Sequence, residues 1–409
     1  MKEKVFLHCD VNNFYASVAA VLDPSLQNKP IAVSGSKELR RGIVLAKSRL
    51  ASEQGVRTGE TIGEALAKCS DLILVAPNFV EYKRFSNMIY QIYLSYTNLV
   101  ETFGQDECWL DITNKVNDIE EGAKLADEIR KEVKEKTGGL TISVGVSFTK
   151  VFAKLGSDLK KPYGLTVISR NNYKEILYGL PVQSMIFIGQ ATRKVLNQLN
   201  IFTIGDLAEA HDFIIINELG KNGEKLLASA RGKDNEEILL SSQSHSHQSV
   251  GNGTTLPKDI KKLEEVERVI YALSEIVAFR LKKYNMLCNG VSLSVKDNEF
   301  NLKSKQGILG FYTCSSSIIA NKAIELFLSF YSFGSMSPIR AITVTTYDLI
   351  DNNESVQLSF FESRIVKTES LERAIDDLRT KYGYEILKRG CDITQEVITG
   401  DVIDEDIFR

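Results

Sequence analysis

The sequence predicts an α+β fold spread over several domains, and three observations carry that prediction. The order strand–helix–hairpin–helix–strand runs across residues 4–146. Residues 171–231 look entirely helical. From Ser249 onward, strands and helices resume. A chain of 409 residues is too long for one compact core and suits roughly two to four domains.

In chain order, Lys4 to Cys9 reads as a buried strand that stops at Asp10, and residues 12–22 as a helix. A strand follows at 30–34, then a basic turn from Lys37 to Arg41. Residues 42–75 alternate short apolar runs with helix-like stretches, and 79–98 reads as a helix. Val100–Phe103 and Cys108–Ile112 are short strands flanking the turn Gly104-Gln105-Asp106-Glu107. In 119–136, Ile119, Ala123, Ala126, Ile129 and Val133 recur at helical spacing. Leu140–Val146 reads as a strand, so this region should form a sheet with helices on one face. Gly189, Gly205, Gly220 and Gly223 punctuate the helical stretch, and the small polar residues 232–248 read as a linker. Beyond it the expectation is a strand at 291–296, a helix near 316–331, a strand at 339–346, an acidic connector after Asp351 and a helical patch at 368–389. No repeat of 20–50 residues is visible.

Composition narrows the function classes. A hydrophobic content of 43% with 25% charged residues fits a soluble globular protein. No apolar run approaches the ~20 residues needed to cross a membrane, and Asp10 interrupts the only signal-like stretch, so no membrane association is expected. Cys9, Cys69, Cys108, Cys288, Cys314 and Cys391 lie at neither zinc nor redox spacings, which predicts reduced thiols in a cytoplasmic protein. The net charge of −3 is unevenly spread: residues 1–348 carry 42 Lys+Arg against 39 Asp+Glu, and residues 349–409 carry 8 against 14. The body can therefore present basic faces to nucleic acid.

Asp10 ends one expected strand, and Asp106-Glu107 sits on a hairpin of the same sheet. Neighbouring strands lie about 4.8 Å apart, so these acids meet if their strands are adjacent. Three carboxylates at one point repel one another unless cations are present. Two magnesium ions about 3.5–4 Å apart would relieve the repulsion and align a hydroxyl with a triphosphate. Each acid also has a plainer reading: Asp10 as a helix cap, Asp-Glu as turn chemistry.

Four stretches decide between these readings. They are Asp10-Val11-Asn12-Asn13-Phe14-Tyr15-Ala16-Ser17-Val18; Asp106-Glu107-Cys108-Trp109-Leu110-Asp111; Gly145-Val146-Ser147 with Lys150-Val151-Phe152-Ala153-Lys154, Ser157-Asp158 and Lys161-Pro162; and Gln357-Leu358-Ser359-Phe360-Phe361. In this order and spacing, residues 4–361 resemble the Y-family translesion DNA polymerases of the bacterial polymerase IV type. The resemblance implies a right-hand fold: a ferredoxin-like palm with small fingers inserted (1–170, fingers about 22–77), a helical thumb with a helix-hairpin-helix (171–231), the linker (232–248), an α/β little finger (249–348) and an acidic tail (349–409). It implies that Asp10, Asp106 and Glu107 are catalytic and hold two Mg2+ ions together with the Val11 carbonyl. Asn13 and Phe14 would give backbone N–H groups to the triphosphate, Tyr15 would be the steric gate against a 2′-hydroxyl, and Lys161 would contact the triphosphate. Gln357, Leu358, Phe360 and Phe361 would dock on the bacterial sliding clamp. The implied protein is a monomeric, low-fidelity DNA polymerase of DNA repair and damage tolerance, acting on primer-template DNA and deoxynucleoside triphosphates.

The chain departs from the family pattern in places. Gly104-Gln105 replaces a Ser-Ile pair, Ala19 a glutamate, and Gln190-Ala191 the second glycine of the thumb hairpin. Where relatives clasp the triphosphate with Tyr and Arg, this chain has Arg49 and Ser52, leaving Lys47, Arg49 and the Arg40-Arg41 pair as candidates for the charge. A nucleotide cyclase shares paired acids on such a hairpin but needs no thumb, little finger or clamp peptide. A non-catalytic clamp-bound scaffold would not need the acid trio.

Overall fold

The computed structural model describes residues 2–35, 42–234, 236–239, 247–332, 337–353, 363–382 and 386–387. The turn Lys37–Arg41, residues 235 and 240–246 of the expected linker and the peptide Gln357–Phe361 lie outside them. The chain divides into two compact units, Met1–Ser34 with Ile43–Ser244, and Gly35–Gly42 with His245–Arg409.

The first unit is built around β1 (Phe6–Val11), buried at every position. Such a run needs neighbours on both edges and cover on both faces. β1 is followed by α1 (Phe14–Leu22), β2 (Ile31–Ser34), β3 (Val44–Lys47), α2 (Arg49–Glu53), α3 (Ile62–Lys68), β4 (Ile73–Val75) and α4 (Phe79–Tyr96). Then come β5 (Val100–Phe103), β6 (Glu107–Asp111), α5 (Ile119–Lys136), β7 (Ile142–Ser147), α6 (Lys150–Leu159) and β8 (Leu165–Ile168). Five strands form a sheet in the order β5-β6-β1-β7-β8, antiparallel except for β7 with β8. A smaller sheet, β3-β2-β4, closes over Ala32, Val44, Ala51, Val56 and Ala65.

Side chains alternate faces along a strand. On β1, Leu7, Cys9 and Val11 enter one core with Tyr82, Ile89, Ile129 and Val133 of α4 and α5. Phe6 joins Trp109 and Ala153 of α6, and His8 bonds Ser157 of α6, so the second face belongs to α6. Helices thus cover both faces, where the sequence reading placed them on one. Neither α6 nor β8 is among the elements expected from the sequence. The expected helical stretch consists of α7 (Tyr173–Leu177), α8 (Gln190–Gln198), α9 (Ile204–Glu209), α10 (Asp212–Leu219) and α11 (Lys221–Ala230). Its core runs into that of α6 through Phe148, Val151, Phe152 and Leu155.

The second unit contains β9 (Ser249–Ile260), α12 (Leu263–Lys283), β10 (Met286–Asp297), β11 (Leu302–Thr313), α13 (Ser316–Phe330), β12 (Ile339–Asp351) and α14 (Ser363–Tyr382). Its antiparallel sheet has the order β11-β10-β12-β9. Val291, Leu293 and Val295 of β10 pack with Val269, Leu273, Ile276 and Val277 of α12 and Ile319, Ala323 and Phe327 of α13. Among the described residues, no helix of either unit is long and apolar enough to cross a membrane.

Candidate active site

The register of β1 against β6 builds the site. Asp10 lies directly opposite Glu107, and the Val11 N–H donates to the Asp106 carbonyl at 3.0 Å. Asp10 lies within β1, at the strand end where the sequence put it, and Glu107 opens β6 instead of lying on the turn, so both backbones are fixed by sheet pairing. Asn12 anchors the end of the strand: its amide donates to Thr141 Oγ1 at 3.1 Å and accepts from Ser143 Oγ at 2.8 Å.

Gly145 lets α6 reach this face. A Cβ there would meet the Ala153 carbonyl oxygen at 1.9 Å and the Ser157 nitrogen at 2.6 Å, so only glycine permits the approach. The approach brings Lys154 Nζ within 2.6 Å of Glu107 Oε2 and 3.3 Å of Asp10 Oδ2. Lys161 Nζ lies 2.7 Å from Asp10 Oδ2 and 2.8 Å from Asp158 Oδ1. His8, fully buried, places Nε2 3.1 Å from Glu107 Oε2 and Nδ1 2.8 Å from Ser157 Oγ. The Ser157 hydroxyl also donates to the Lys154 carbonyl at 2.8 Å.

The electrostatics follow from this crowding. Burial raises Asp106, the charges of Asp10 and Glu107 add to it, and the carboxyl is pushed up to about 6. Burial also works upward on Glu107, but its contacts with His8 and Lys154 prevail and bring it down to about 2. Burial lowers His8. On Lys154 and Lys161 burial works downward, but their carboxylate partners outweigh it and both ammonium groups are stabilised. The three acids do not close on one common point, since Lys154 stands between Asp10 and Glu107.

A cavity of about 520 Å³ opens beside them, lined by Asp10, Val11, Asn13, Phe14, Tyr15, Leu45, Ala46, Lys47, Thr58, Gly104, Gln105, Asp106, Glu107 and Lys161. This lies within the range for small-molecule sites, about 300–1,000 Å³. α1 begins at this wall, after Asn13 with its left-handed φ of 50°. The N–H groups of a first helical turn have no intrahelical acceptor and suit an anion. Tyr15 stacks on Tyr82 and donates to Gln105 Oε1 at 3.2 Å. Burial, and then the Asp106 charge, raise its phenol.

The structure thus brings Asp10, Val11, Asn13, Phe14, Tyr15, Asp106, Glu107 and Lys161 to one wall. Of the candidates for the extra charge, Lys47 lines the cavity and bonds Thr58 Oγ1 at 3.3 Å. Arg49 is exposed and lies 3.5 Å from Glu53. Sequence reasoning gave no role to His8, Lys154, Asp158 or Tyr82. Lys154 and Asp158 stand in a stretch quoted for the resemblance, but their spacing alone does not show which way α6 faces.

Residues 9–158 match the impB/mucB/samB family, and residues 247–360 match the C-terminal domain of that family. The DNA polymerase IV of Acetivibrio thermocellus is 43% identical over 390 residues, covering 95% of this chain and 97% of that protein. The DNA polymerase IV 1 of Halalkalibacterium halodurans is 34% identical over 416 residues, covering 100% of this chain and 99% of that one. Among solved structures, a Y-family DNA polymerase chimera of Dbh and Dpo4 superposes with a TM-score of 0.76 at 25% identity, over 85% of this chain and 100% of the chimera.

Proposed function

The chain belongs to the impB/mucB/samB family, within it to the DNA polymerase IV group of Y-family polymerases, and we propose that Asp10, Asp106 and Glu107 are the acids through which it works. It is a DNA-directed DNA polymerase of the low-fidelity, translesion kind, with the α+β right-hand fold of that group. The observation that carries the site is the β1–β6 register, which sets Asp10 against Glu107 with Asp106 alongside, on the wall of one cavity.

The donor set fits a divalent metal. Its ligands are hard carboxylate and carbonyl oxygens, which suit Mg2+. Burial first, and then the charges of Asp10 and Glu107, push Asp106 up, and a divalent cation at this wall would offset both. Asp10, Asp106, Glu107 and the Val11 carbonyl would hold two Mg2+ ions, which would supply charge stabilisation to the attacking and leaving oxygens. The chain's own groups do the rest. The first turn of α1, with the Asn13 and Phe14 N–H groups, and the ammonium groups of Lys161 and Lys47 receive the triphosphate. Tyr15 faces the sugar and excludes a 2′-hydroxyl. In the state seen here, Lys154 and Lys161 act as counter-ions to Asp10 and Glu107.

The substrates are primer-template DNA and deoxynucleoside triphosphates, and the protein works as a monomer in the cytoplasm. Gln357, Leu358, Phe360 and Phe361 form the clamp-docking peptide. Primer extension with Mg2+ tests this reading. Asp106→Asn and Glu107→Gln should each abolish extension, because losing a charge at this position removes several kcal/mol, about a thousandfold or more, of transition-state stabilisation. DNA binding, measured by fluorescence anisotropy, should persist. Ordinary extension rates in both variants would remove these acids from the mechanism.

A further inference from the structure

The ring of Tyr15 has two faces, and only one meets the cavity. The other lies on Tyr82 of α4, with ring centroids 4.1 Å apart and planes inclined by 14°. Tyr82 is 1% exposed and is wedged in turn by Phe79, edge-on at 5.7 Å, and by Phe14 at 6.1 Å. Phe79 also meets Tyr15 edge-on at 6.0 Å. A close-packed interior yields little, so a ring resting on Tyr82 cannot sink away from a group pressing on its open face. The hydroxyl end of Tyr15 is held separately: its O–H donates to Gln105 Oε1 at 3.2 Å. Gln105 belongs to the turn between β5 and β6, next to Asp106, so the bond ties the height of the ring to the acids.

We propose that Tyr82 and Gln105 are specificity-determining positioning residues, which fix Tyr15 from beneath and at its hydroxyl and so set how strongly the enzyme rejects a 2′-hydroxyl. The inference rests on the reading of Tyr15 as the gate and deepens it. A steric barrier discriminates only as well as it is braced, because a ring free to recede converts a clash into a contact. Gln105 stands at a position where this chain departs from the family pattern, so its contribution belongs to this chain.

The test is single-nucleotide insertion opposite a template dG by the full-length enzyme, comparing kcat/KM for dCTP and CTP. Tyr15→Ala should collapse the deoxy-to-ribo ratio. Tyr82→Leu, which leaves space behind the ring, should lower the ratio at least tenfold, chiefly by raising kcat/KM for CTP. Tyr82→Phe, which keeps the stack, should restore the wild-type ratio. Gln105→Leu should lower the ratio several-fold, but have no further effect in a Tyr15→Phe background, where the hydroxyl is already gone. If Tyr15→Ala leaves the ratio unchanged, the gate reading fails and this inference with it. If Tyr15→Ala collapses the ratio while Tyr82→Leu stays within twofold of wild type, the gate stands and the brace is refuted. Should Tyr82→Leu not fold, the Gln105/Tyr15 cycle decides, and additive effects there overturn the proposal.

Discussion

Lys154 sets one ammonium group 2.6 Å from Glu107 and 3.3 Å from Asp10, with its side chain 10% exposed. Removing one partner from a buried ion pair leaves an uncompensated charge and costs about 3–5 kcal/mol. We therefore expect Lys154→Met to lower the melting temperature of the metal-free protein markedly. Mg2+ should recover more of that loss in the variant than it adds to wild type, because a ligand of the native state stabilises it by mass action. Equal Mg2+ shifts in the two proteins would show that Lys154 does not stand in for a cation. At this scale the sequence was most readable where chemistry is local. Asp10, Asp106, Glu107 and Tyr15 sit in the motifs that carry the family resemblance, and it is the resemblance that implies their roles. His8 was not readable, since its role depends on strand alternation turning it toward α6 and on Ser157 arriving there through Gly145. Lys47 and Arg49 are two residues apart, and only the fold separates the one on the cavity wall from the one paired with Glu53.

At the scale of elements, α14 is attached by polar contacts. Glu372 accepts from the Ser316 N–H at 2.9 Å and the Ser317 N–H at 3.3 Å, and from the Ser315 and Ser316 hydroxyls at 3.0 and 2.9 Å. It thereby satisfies the open N-terminus of α13, whose own N-cap, Ser315, makes no side-chain cap. Lys282 lies 3.5 Å from Glu372 and 2.6 Å from Asp376, and Arg379 bonds Glu275 at 2.9 Å. Burial pushes Glu372 up, but the Ser316 bonds and the Lys282 charge outweigh it and hold the carboxyl below its usual range. A depressed carboxylate contributes stability above its unfolded value, about 4.3, and loses it as pH falls through the folded value. Burial shifts Asp376 upward, so it neutralises first and cannot replace Glu372. We predict that α14 loosens below about pH 4, and that Glu372→Gln loosens it at neutral pH. Hydrogen exchange should then quicken in residues 371–382 and in the first turn of α13. Unchanged exchange in the variant would mean that Arg379 and Asp376 hold the helix without Glu372. Elements were legible where one periodicity dominates, as in α4, α5 and α13. β9 was given no bounds, because Gly251, Asn252, Gly253 and Pro257 interrupt the alternation of a strand. Those glycines lie across from Thr345 and Thr343, whose Oγ1 atoms would sit 2.5 and 2.2 Å from an added Cβ. α12 carries a clear helical period at Val266, Val269, Ile270, Leu273, Ile276 and Val277, yet the elements expected for 249–348 omit it.

At the scale of the whole molecule, charge and the peptide Gln357–Phe361 bear on the same question, namely how a polymerase of net charge −3 stays at a primer end. Residues 249–348 carry 12 basic against 9 acidic side chains, a small excess for holding phosphates. Tethering to a sliding clamp would supply residence by raising the local concentration of enzyme, without further DNA contacts. The peptide itself lies outside the described residues, but its flanks do not: β12 ends at Asp351 and α14 begins at Ser363. Short apolar motifs of this kind dock in extended form. Replacing Gln357, Leu358, Phe360 and Phe361 with alanine removes three apolar anchors. Such anchors often contribute about 2 kcal/mol or more each, so clamp affinity should fall by orders of magnitude. The measurement is extension on a long, singly primed template with and without loaded clamp. Wild type should be stimulated and the quadruple variant should not, while short distributive extension without clamp persists in both. Loss of clamp-free extension as well would make the segment part of the fold between β12 and α14. Stimulation that survives the four substitutions would move the docking contact elsewhere, and residues 388–409 are where a second peptide would then be sought by serial truncation.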